Sequence, residues 1–279
     1  MIHTKGYFEN CFQTLSMVMR NTDQKMTEVL SGMRKVAIVT GGARGLGEGI
    51  AMKMGELGYN VVVNYVSDRS EEKAETVLAH LKEKFGVEGL AVQADVSDYE
   101  QAKNLVETSI AHFGENLEVL ANNAGIENNT RFIDLEPAKF RRVIDVNLVS
   151  YMNCAHVAIP HIITSGGGAI VNTASVGGLM GVVNQVDYCA AKSGVIGLTR
   201  ALAAEYAADN IRVNAVAPGM IWTDMLRECN QEEVQVLKQA VPLGEIGEVE
   251  DIAEAVGYLV RAKYVTGQTL GPNGGLLMP

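Results

Sequence analysis

The sequence lacks the features that mark nucleic-acid-binding and membrane-spanning proteins. Its 23 Lys and Arg residues form no cluster denser than Arg141-Arg142, and with 33 Asp and Glu residues the net charge is -10. An acidic balance of this kind disfavours nucleic acid or an anionic membrane surface as partner, because like charges repel. No apolar run approaches the ~20 residues that a membrane-spanning helix needs. The sequence therefore predicts a protein that binds neither nucleic acid nor a membrane.

Cysteine and histidine are also sparse. The four cysteines are scattered without a C-x-x-C pair, and the five histidines show no spacing typical of metal ligands. Such cysteines are typical of reduced thiols in a cytoplasmic protein rather than of a disulfide or zinc framework. We therefore expect a cytoplasmic protein without a metal site.

No linker rich in Pro, Gly or Ser interrupts the chain after residue 34, so we expect a single domain over residues 34–279. Residues 1–33 differ, because five methionines alternate there with charged residues and the apolar stretch is too broken for a secretory signal. Two interpretations of this N-terminal extension stay open. It is either sequence upstream of a natural start at Met33, or an arm that packs on the domain or on a neighbouring subunit.

Short apolar runs alternate with helical patterns from Lys35 onward. Strands are predicted at 36–39, 61–63, 90–92, 117–121, 169–171, 212–217 and 269–270, and helical patterns fill the gaps, as at 71–85 and 98–113. Strands that alternate with helices of this length indicate an α/β fold, a doubly wound parallel sheet with helices on both faces. Ligands bind such sheets at the carboxyl ends of the strands.

A glycine-rich turn, Gly41-x-x-x-Gly45-x-Gly47, follows the first predicted strand and leads into a helix that begins near Leu46. Glycine lets the backbone turn tightly and lets a phosphate approach closely. The helix N-terminus offers unpaired N–H groups and a partial positive charge to a pyrophosphate. The spacing differs from G-x-G-x-x-G, but its place in a βαβ series predicts dinucleotide binding.

Tyr188 and Lys192 lie four residues apart and share one face of a helix, thirteen residues after Ser175. A phenol normally titrates near pH ~10. A nearby ammonium group favours the phenolate and lowers that pKa, so we expect Tyr188 to act as a general acid or base near neutral pH. The same spacing at Tyr99 and Lys103 has polar neighbours and is typical of a solvated helix face.

These motifs occur together and in a fixed order, and with them the chain resembles short-chain dehydrogenases/reductases of the non-metal type. The matching segments are Thr40-Gly-x-x-x-Gly-x-Gly47, Asp95-Val96, Asn122-Asn-Ala-Gly125, Asn147, Ser175, Tyr188-x-x-x-Lys192 and Pro218-Gly219 with Thr223. The likeness covers about residues 34–275. Asn64-Tyr65 and the Gly267 to Gly275 ending resemble the 3-oxoacyl carrier-protein reductases in particular.

The resemblance implies a Rossmann-like fold and an NAD(P)H-dependent oxidoreductase that interconverts a ketone and a secondary alcohol. It implies that Tyr188 donates and accepts the proton, and that Lys192 lowers the pKa of Tyr188 and holds the nicotinamide ribose. It further implies that Ser175 stabilises charge on the substrate oxygen and that Asn147 positions a relay water. The implied cofactor site consists of Gly41, Arg44, Gly45, Leu46, Gly47, Asn64, Tyr65, Asp95, Val96, Asn123, Ala124, Gly125, Tyr188, Lys192, Pro218, Gly219 and Thr223.

The preference for NAD or NADP depends on the residues that follow the second predicted strand. An acidic residue about 20 positions past the glycines would bind the ribose 2′-hydroxyl of NAD, but residues 64–67 are neutral. Arg44 lies in the glycine turn, where relatives that use NADP carry a basic residue. The sequence therefore favours NADPH over NADH, with Asp68 as evidence against this choice and Arg69 as evidence for it.

The residues expected to face the substrate are apolar. They are Ser175 with Leu179, Met180, Val182 and Val183 after it, and Ile221, Trp222, Met225 and Leu226 after Pro218-Gly219. They either pack a mobile lid or bind a bulky apolar ketone or alcohol. The second interpretation makes a hydroxysteroid dehydrogenase, an enzyme of lipid metabolism, the leading hypothesis.

The resemblance leaves two alternatives to the hydroxysteroid dehydrogenase hypothesis, and it also predicts a quaternary structure. The first alternative is a 3-oxoacyl-[acyl-carrier-protein] reductase. An acidic carrier protein is disfavoured as partner, because two positions that carry basic residues in that group are Asn153 and Asp209 here. The second alternative is a non-catalytic dinucleotide-binding sensor, although such proteins often lose the Tyr or the Lys that this chain keeps. A homotetramer is expected, with contacts through the Tyr188 helix and a helix beginning near Glu136.

Overall fold

The computed structural model describes residues 34–223 and 231–278. The N-terminal extension at 1–33 and two of the expected substrate-facing residues, Met225 and Leu226, lie outside the described residues.

Seven parallel strands form one sheet. They are β1 (Val36–Val39), β2 (Asn60–Tyr65), β3 (Gly89–Gln93), β4 (Leu117–Asn122), β5 (Gly168–Thr173), β6 (Ile211–Val216) and β7 (Thr269–Leu270). Their order across the sheet is β3-β2-β1-β4-β5-β6-β7, and every neighbouring pair is parallel. The chain order reverses between β1 and β4, which makes the carboxyl ends of these two strands the topological switch point.

Eight α-helices in the described residues accompany the sheet. They are α1 (Gly45–Glu56), α2 (Glu71–Phe85), α3 (Tyr99–Phe113), α4 (Pro137–Ile144), α5 (Ser150–Thr164), α6 (Val186–Glu205), α7 (Gln231–Ala240) and α8 (Val249–Arg261). A π-helical turn, Asp145–Val149, joins α4 to α5. The predicted α/β fold, a Rossmann-like doubly wound parallel sheet, is confirmed.

The sheet separates two hydrophobic layers because successive strand residues point to opposite faces. Ala37 and Val39 of β1 pack in the cluster that contains Ile50 of α1, together with residues of α2 and α8. Val36 and Ile38 of the same strand pack in the cluster formed with α3 and α5. Strands covered on both faces read as continuous apolar runs, which is why the sequence located them well.

Among the described residues, no helix has the length and apolar character needed to cross a membrane. In the same part of the chain, no group of three or more His, Cys, Asp or Glu side chains is arranged to hold a metal ion.

Candidate active site

The motif residues meet at the carboxyl edge of the sheet. The glycine turn follows β1, the Asn123 segment follows β4, and the Ser175 segment follows β5. Helix α6 then brings Tyr188 and Lys192 to the same edge, where α/β sheets bind their ligands.

Lys192 is buried and lies behind Tyr188. Its Nζ donates a 2.6 Å hydrogen bond to the backbone carbonyl of Thr173 and lies 3.3 Å from the Tyr151 hydroxyl. The same nitrogen lies 5.6 Å from the centroid of the Tyr188 ring. Burial lowers the pKa of Lys192 to about 7, because a poorly solvated site disfavours the charged form. Lys192 can therefore exchange a proton at neutral pH.

Tyr188 is half-buried at the start of α6 and hydrogen-bonds with Ser175. Burial raises its pKa to about 12, the bond with Ser175 opposes this rise, and the negative charge of Glu127 adds to it. The expectation that Lys192 lowers this pKa is therefore wrong for the protein alone. The physical reason is that the cost of burying a phenolate exceeds the effect of an ammonium group directed at the Thr173 carbonyl.

Ser175 occupies the N-cap position of a short turn, Val176–Gly178, directly after β5. Its Oγ accepts a hydrogen bond of 3.0 Å from the Gly177 N–H. A hydroxyl has one hydrogen to donate as well as lone pairs to accept, so Ser175 can still donate toward an oxygen held beside Tyr188. The turn thus orients the hydroxyl before any substrate binds.

Asn147 lies in the π-helical turn and is fully buried. Its Nδ2 donates to the carbonyls of Ile126 and Val143, at 2.7 and 2.9 Å, and its Oδ1 accepts from the Ile126 N–H. A Cβ added to Gly125 would lie 2.7 Å from Asn147 Oδ1 and 3.7 Å from Lys192 Nζ. The side chain of Asn147 therefore fixes the segment after β4 beside Lys192, and the predicted water relay stays a prediction.

The glycine turn has the shape that a pyrophosphate needs. Gly41 and Gly45 have φ angles of +62° and +55°, in the left-handed region. A Cβ added to Gly47 would lie 2.0 Å from the Gly41 carbonyl oxygen, so any side chain at this position would clash with the backbone of the turn. The N-terminus of α1 follows at once, and its unpaired N–H groups favour an anion. These residues fit a dinucleotide cofactor.

Thr40 joins the ends of β1 and β4. Its Oγ1 accepts from the backbone N–H groups of Asn123 and Ala124, at 2.9 and 3.1 Å. Asn123 Nδ2 in turn donates to the carbonyls of Thr40 and Gly41. Asn123 thus braces the glycine turn with its side chain instead of offering it to the cofactor. This bracing role of Thr40 was not predicted from the sequence, although its place between the first strand and the glycines was a usable signal.

Asn64 also supports the turn from inside the fold. Its Oδ1 accepts from the Gly41 N–H at 3.2 Å, and its Nδ2 donates to the carbonyls of Val92 and Ala94. Tyr65 beside it is buried in the core. The prediction that these two side chains contact the cofactor is wrong, because their polar and apolar groups are used to join β1, β2 and β3.

Asp95 and Val96 follow β3. Asp95 accepts hydrogen bonds from the Ser97 hydroxyl at 2.6 Å and from Arg142 Nη2 at 2.7 Å. Burial raises the pKa of Asp95, but these bonds outweigh it and hold the pKa below its usual range. Val96 is buried, and its carbonyl accepts from Asn153 Nδ2 at 3.1 Å. Asn153 is therefore directed at the backbone after β3.

The remaining cofactor candidates lie around the same edge. Arg44 is exposed at the N-cap of α1, and Leu46 packs against the core. The Pro218 carbonyl accepts a 3.0 Å bond from the Val176 N–H, which joins the loops after β5 and β6. A Cβ added to Gly219 would lie 2.8 Å from the Cα of Asn273, so this glycine allows the C-terminal segment to pack closely.

The expected apolar wall of the substrate site is only partly present. Leu179 and Met180 are about 40% exposed, Val182 is half-buried and Val183 is exposed. Ile221 instead belongs to the core and contacts Gly247, so the prediction that it faces the substrate is wrong. Trp222 and Thr223 line a cavity whose further residues include Gly45 of the glycine turn, Glu48, Val249 and Glu250.

Two side chains near Tyr188 were missed by the sequence analysis. Tyr151 is fully buried and donates from its hydroxyl to the Thr173 carbonyl at 3.2 Å, which places it against Lys192. Glu127 is half-buried and accepts from Gln185 Nε2 at 3.4 Å. Nothing in the local sequence pointed to Tyr151, whereas the proximity of Glu127 to Gly125 was a usable signal.

Similarity to known proteins agrees with this geometry. A family model described as enoyl-(acyl carrier protein) reductase matches residues 41–277. The 3-oxoacyl-[acyl-carrier-protein] reductase FabG of Staphylococcus aureus strain N315 is 43% identical over 248 residues, which cover 88% of this chain and 99% of the relative. The enzyme of the same name from Pseudomonas aeruginosa is 40% identical, over 88% of this chain and 98% of the relative.

A solved structure from Sinorhizobium meliloti 1021, described as a short-chain alcohol dehydrogenase, superposes with a TM-score of 0.82. It is 33% identical and covers 87% of this chain and 96% of its own. The glycine turn and the residues Ser175, Tyr188 and Lys192 lie within residues 41–277, which the family model matches. Sequence, fold and site together place the chain in the short-chain dehydrogenase/reductase family of oxidoreductases.

Proposed function

We propose that this protein is an NADPH-dependent reductase that converts a 3-oxoacyl thioester into the 3-hydroxyacyl thioester. The observation that carries the reaction class is the grouping of Tyr188 with Ser175 and buried Lys192 at the sheet edge where the glycine turn lies, with Lys192 Nζ 5.6 Å from the centroid of the Tyr188 ring. The support for the substrate is the identity of about 40% to reductases named for 3-oxoacyl groups, along nearly their whole length.

The residues at the switch point would hold the cofactor. The turn from Gly41 to Gly47 and the N-terminus of α1 would bind the pyrophosphate, and Lys192 would bind the nicotinamide ribose. Exposed Arg44 supports NADPH, since a guanidinium binds a phosphate well. Asp68 does not oppose this choice, because its carboxylate accepts a 2.8 Å bond from Gln93. When bound, the reduced nicotinamide supplies the hydride.

The protein supplies orientation and the proton. Ser175 would donate a hydrogen bond to the substrate carbonyl oxygen and stabilise the charge that develops there. Tyr188 would give its phenolic proton to that oxygen. A pKa raised to about 12 keeps Tyr188 protonated at neutral pH, which suits the reducing direction. Lys192, whose pKa is about 7, would return a proton toward Tyr188.

The hydroxysteroid hypothesis has less support than the thioester hypothesis. Part of its basis was an apolar wall, but Ile221 is buried in the core, and Trp222 lines a cavity whose lining includes none of Ser175, Tyr188 and Lys192. The similar reductases are named for acyl groups rather than steroids. The sensor hypothesis is weaker still, because Asn147, Ser175, Tyr188 and Lys192 are all present and grouped.

The carrier of the acyl group is a separate question. The bacterial relatives are named for acyl carrier protein, whereas this chain has a net charge of -10 and directs Asn153 inward. The charge of this chain therefore disfavours an acidic carrier protein, whereas the names of the relatives favour one.

A parallel assay of NADPH oxidation separates these alternatives. The substrates are a 3-oxoacyl group on acyl carrier protein, the same group on coenzyme A, and a ketosteroid. Oxidation with either thioester supports the proposal, and the ratio of the two rates identifies the carrier. Oxidation of NADPH with the ketosteroid and with neither thioester would favour the hydroxysteroid dehydrogenase hypothesis instead.

A further inference from the structure

A carboxylate near Tyr188 has no part in the chemistry described so far. Glu127 lies in the segment after β4 and is half-buried, and its Oε2 accepts a 3.4 Å bond from Gln185 Nε2. Gln185 stands three residues before Tyr188, at the N-cap of α6. Burial is the main cause of the raised pKa of Tyr188, and the negative charge of Glu127 adds to it.

The segment that carries Glu127 is tied to the start of α6. Asn128 Nδ2 donates to Asp187 Oδ2 at 3.1 Å, and the Thr130 N–H donates to the Asn184 carbonyl at 3.0 Å. On the other side of Glu127, Asn147 bonds to the N–H and the carbonyl of Ile126, so the backbone is held both before and after Glu127. The carboxylate is thus a positioned charge at the catalytic cleft and not a freely moving surface group.

No cation neutralises this carboxylate within the described part of the chain. None of the ion pairs formed there includes Glu127. Lys192 lies behind the Tyr188 ring and bonds to Thr173, and Arg131 is exposed to solvent. The carboxylate of Glu127 therefore presents a negative charge, without a cation partner among the described residues, beside the residue that precedes Tyr188 by one helical turn.

We propose that Glu127 is a specificity-determining residue that admits neutral carbonyl substrates and discriminates against those with a carboxylate close to the reacting carbonyl. In a 3-oxoacyl thioester the carboxyl group is masked, whereas the free 3-oxo acid carries a carboxylate two carbons from the ketone. Glu127 would thus select the thioester against its own hydrolysis product. The inference rests on the proposed function, because it concerns the same cleft.

The test uses one neutral and one anionic substrate of nearly the same size, ethyl 3-oxobutanoate and 3-oxobutanoate. The measured quantity is the ratio of their kcat/KM values with NADPH. We expect Glu127→Gln to lower the preference for the neutral ester by roughly tenfold, the order expected for the repulsion of two like charges in a partly solvated site. A change in the proton affinity of Tyr188 affects both substrates alike and cancels in the ratio.

Two control variants isolate the charge. Glu127→Asp keeps the carboxylate and should keep most of the preference. Glu83→Gln removes the same charge from an exposed position on α2, and its ratio should stay within about twofold of wild type because exposed distant charges are screened. NADPH fluorescence confirms that each variant is folded and binds its cofactor.

An unchanged ratio in Glu127→Gln, with intact NADPH binding, would overturn the proposal. If the wild type reduces neither compound, calorimetry measures the Kd of both for the NADP-bound protein, and the ratio of Kd values carries the same prediction. A protein that discriminates between the two small ketones but reduces no acyl thioester would refute the proposed function and leave the role of Glu127 standing.

Discussion

Lys192 Nζ donates a 2.6 Å hydrogen bond to the carbonyl oxygen of Thr173, the last residue of β5. This bond holds the ammonium group within the fold and 5.6 Å from the centroid of the Tyr188 ring. A charge in such a place costs stability because a backbone carbonyl replaces only part of its hydration. Burial therefore keeps the amine of Lys192 ready to exchange a proton near neutral pH, and the rest of the fold offsets the cost in stability.

This cost predicts a pH-dependent stability difference for Lys192→Met. The folded-state pKa of about 7 lies below the ordinary value of 10.5, so the folded protein binds fewer protons than the unfolded chain between these values. Stability then rises with pH across that window. We expect the melting temperature of the variant, relative to wild type, to be highest below pH 7 and to fall toward pH 10.

Thermal unfolding of both proteins at several pH values checks this expectation, and a Tm difference that is constant with pH would contradict it. Both proteins keep Tyr188, so the effect of its raised pKa on stability above pH 10 is common to both and cancels in the difference. The lost hydrogen bonds of Lys192 shift all the differences alike and do not change the trend.

Tyr188→Phe should abolish proton transfer and keep the cofactor site. We expect a decrease in kcat of roughly 10²-fold or more, the range of a general acid, with the Kd for NADPH within a few fold of wild type. Tyr99→Phe is the matched control, because Tyr99 has Lys103 four residues on but is exposed and bonds only to His156 among described side chains. An equal loss of activity in both variants would refute the assignment.

Thr40→Val tests the brace between β1 and β4. The substitution keeps the shape but leaves the N–H groups of Asn123 and Ala124 without their acceptor, at a cost of about 1–3 kcal/mol for each buried group. We expect a lower free energy of unfolding and weaker NADPH binding. Thr76→Val, which removes an exposed hydroxyl on α2, should change neither by much. Denaturant titration and NADPH fluorescence measure the two effects.

Arg44→Ala tests the cofactor preference. We expect KM for NADPH to rise by roughly tenfold or more, since a phosphate loses a charge-assisted partner, while KM for NADH changes little. Arg141→Ala, at an exposed position on α4, is the control. An equal rise with both cofactors would show that Arg44 does not bind the 2′-phosphate.

The sequence predicted the fold well and the site only in part. Strands such as 36–39 were located because burial on both faces makes them continuous apolar runs. The helix at 71–85 was located because its apolar residues follow the helical period. The motif residues were found because a tight turn needs glycine, and because a spacing of four residues places Tyr188 and Lys192 on one face of a helix. These are properties of short stretches of chain.

The errors concern which way polar side chains point. Asn64 and Asn123 lie in the right loops, but their amides bond to backbone groups of other strands. Those partners are 23 or more residues distant in the chain, so no local pattern shows them. The pKa of Tyr188 was predicted in the wrong direction for the same reason, because burial is a property of the whole fold.

The most direct test of the central claim follows the hydride itself. The purified protein is supplied with a 3-oxoacyl thioester and NADPH carrying deuterium at the transferred position of the nicotinamide, and the acyl product is analysed by mass spectrometry. The account predicts a 3-hydroxyacyl thioester with one deuterium at C3, formed by wild type and not by Tyr188→Phe. A thioester recovered unchanged, while a ketosteroid supplied in a parallel reaction becomes labelled, would contradict it.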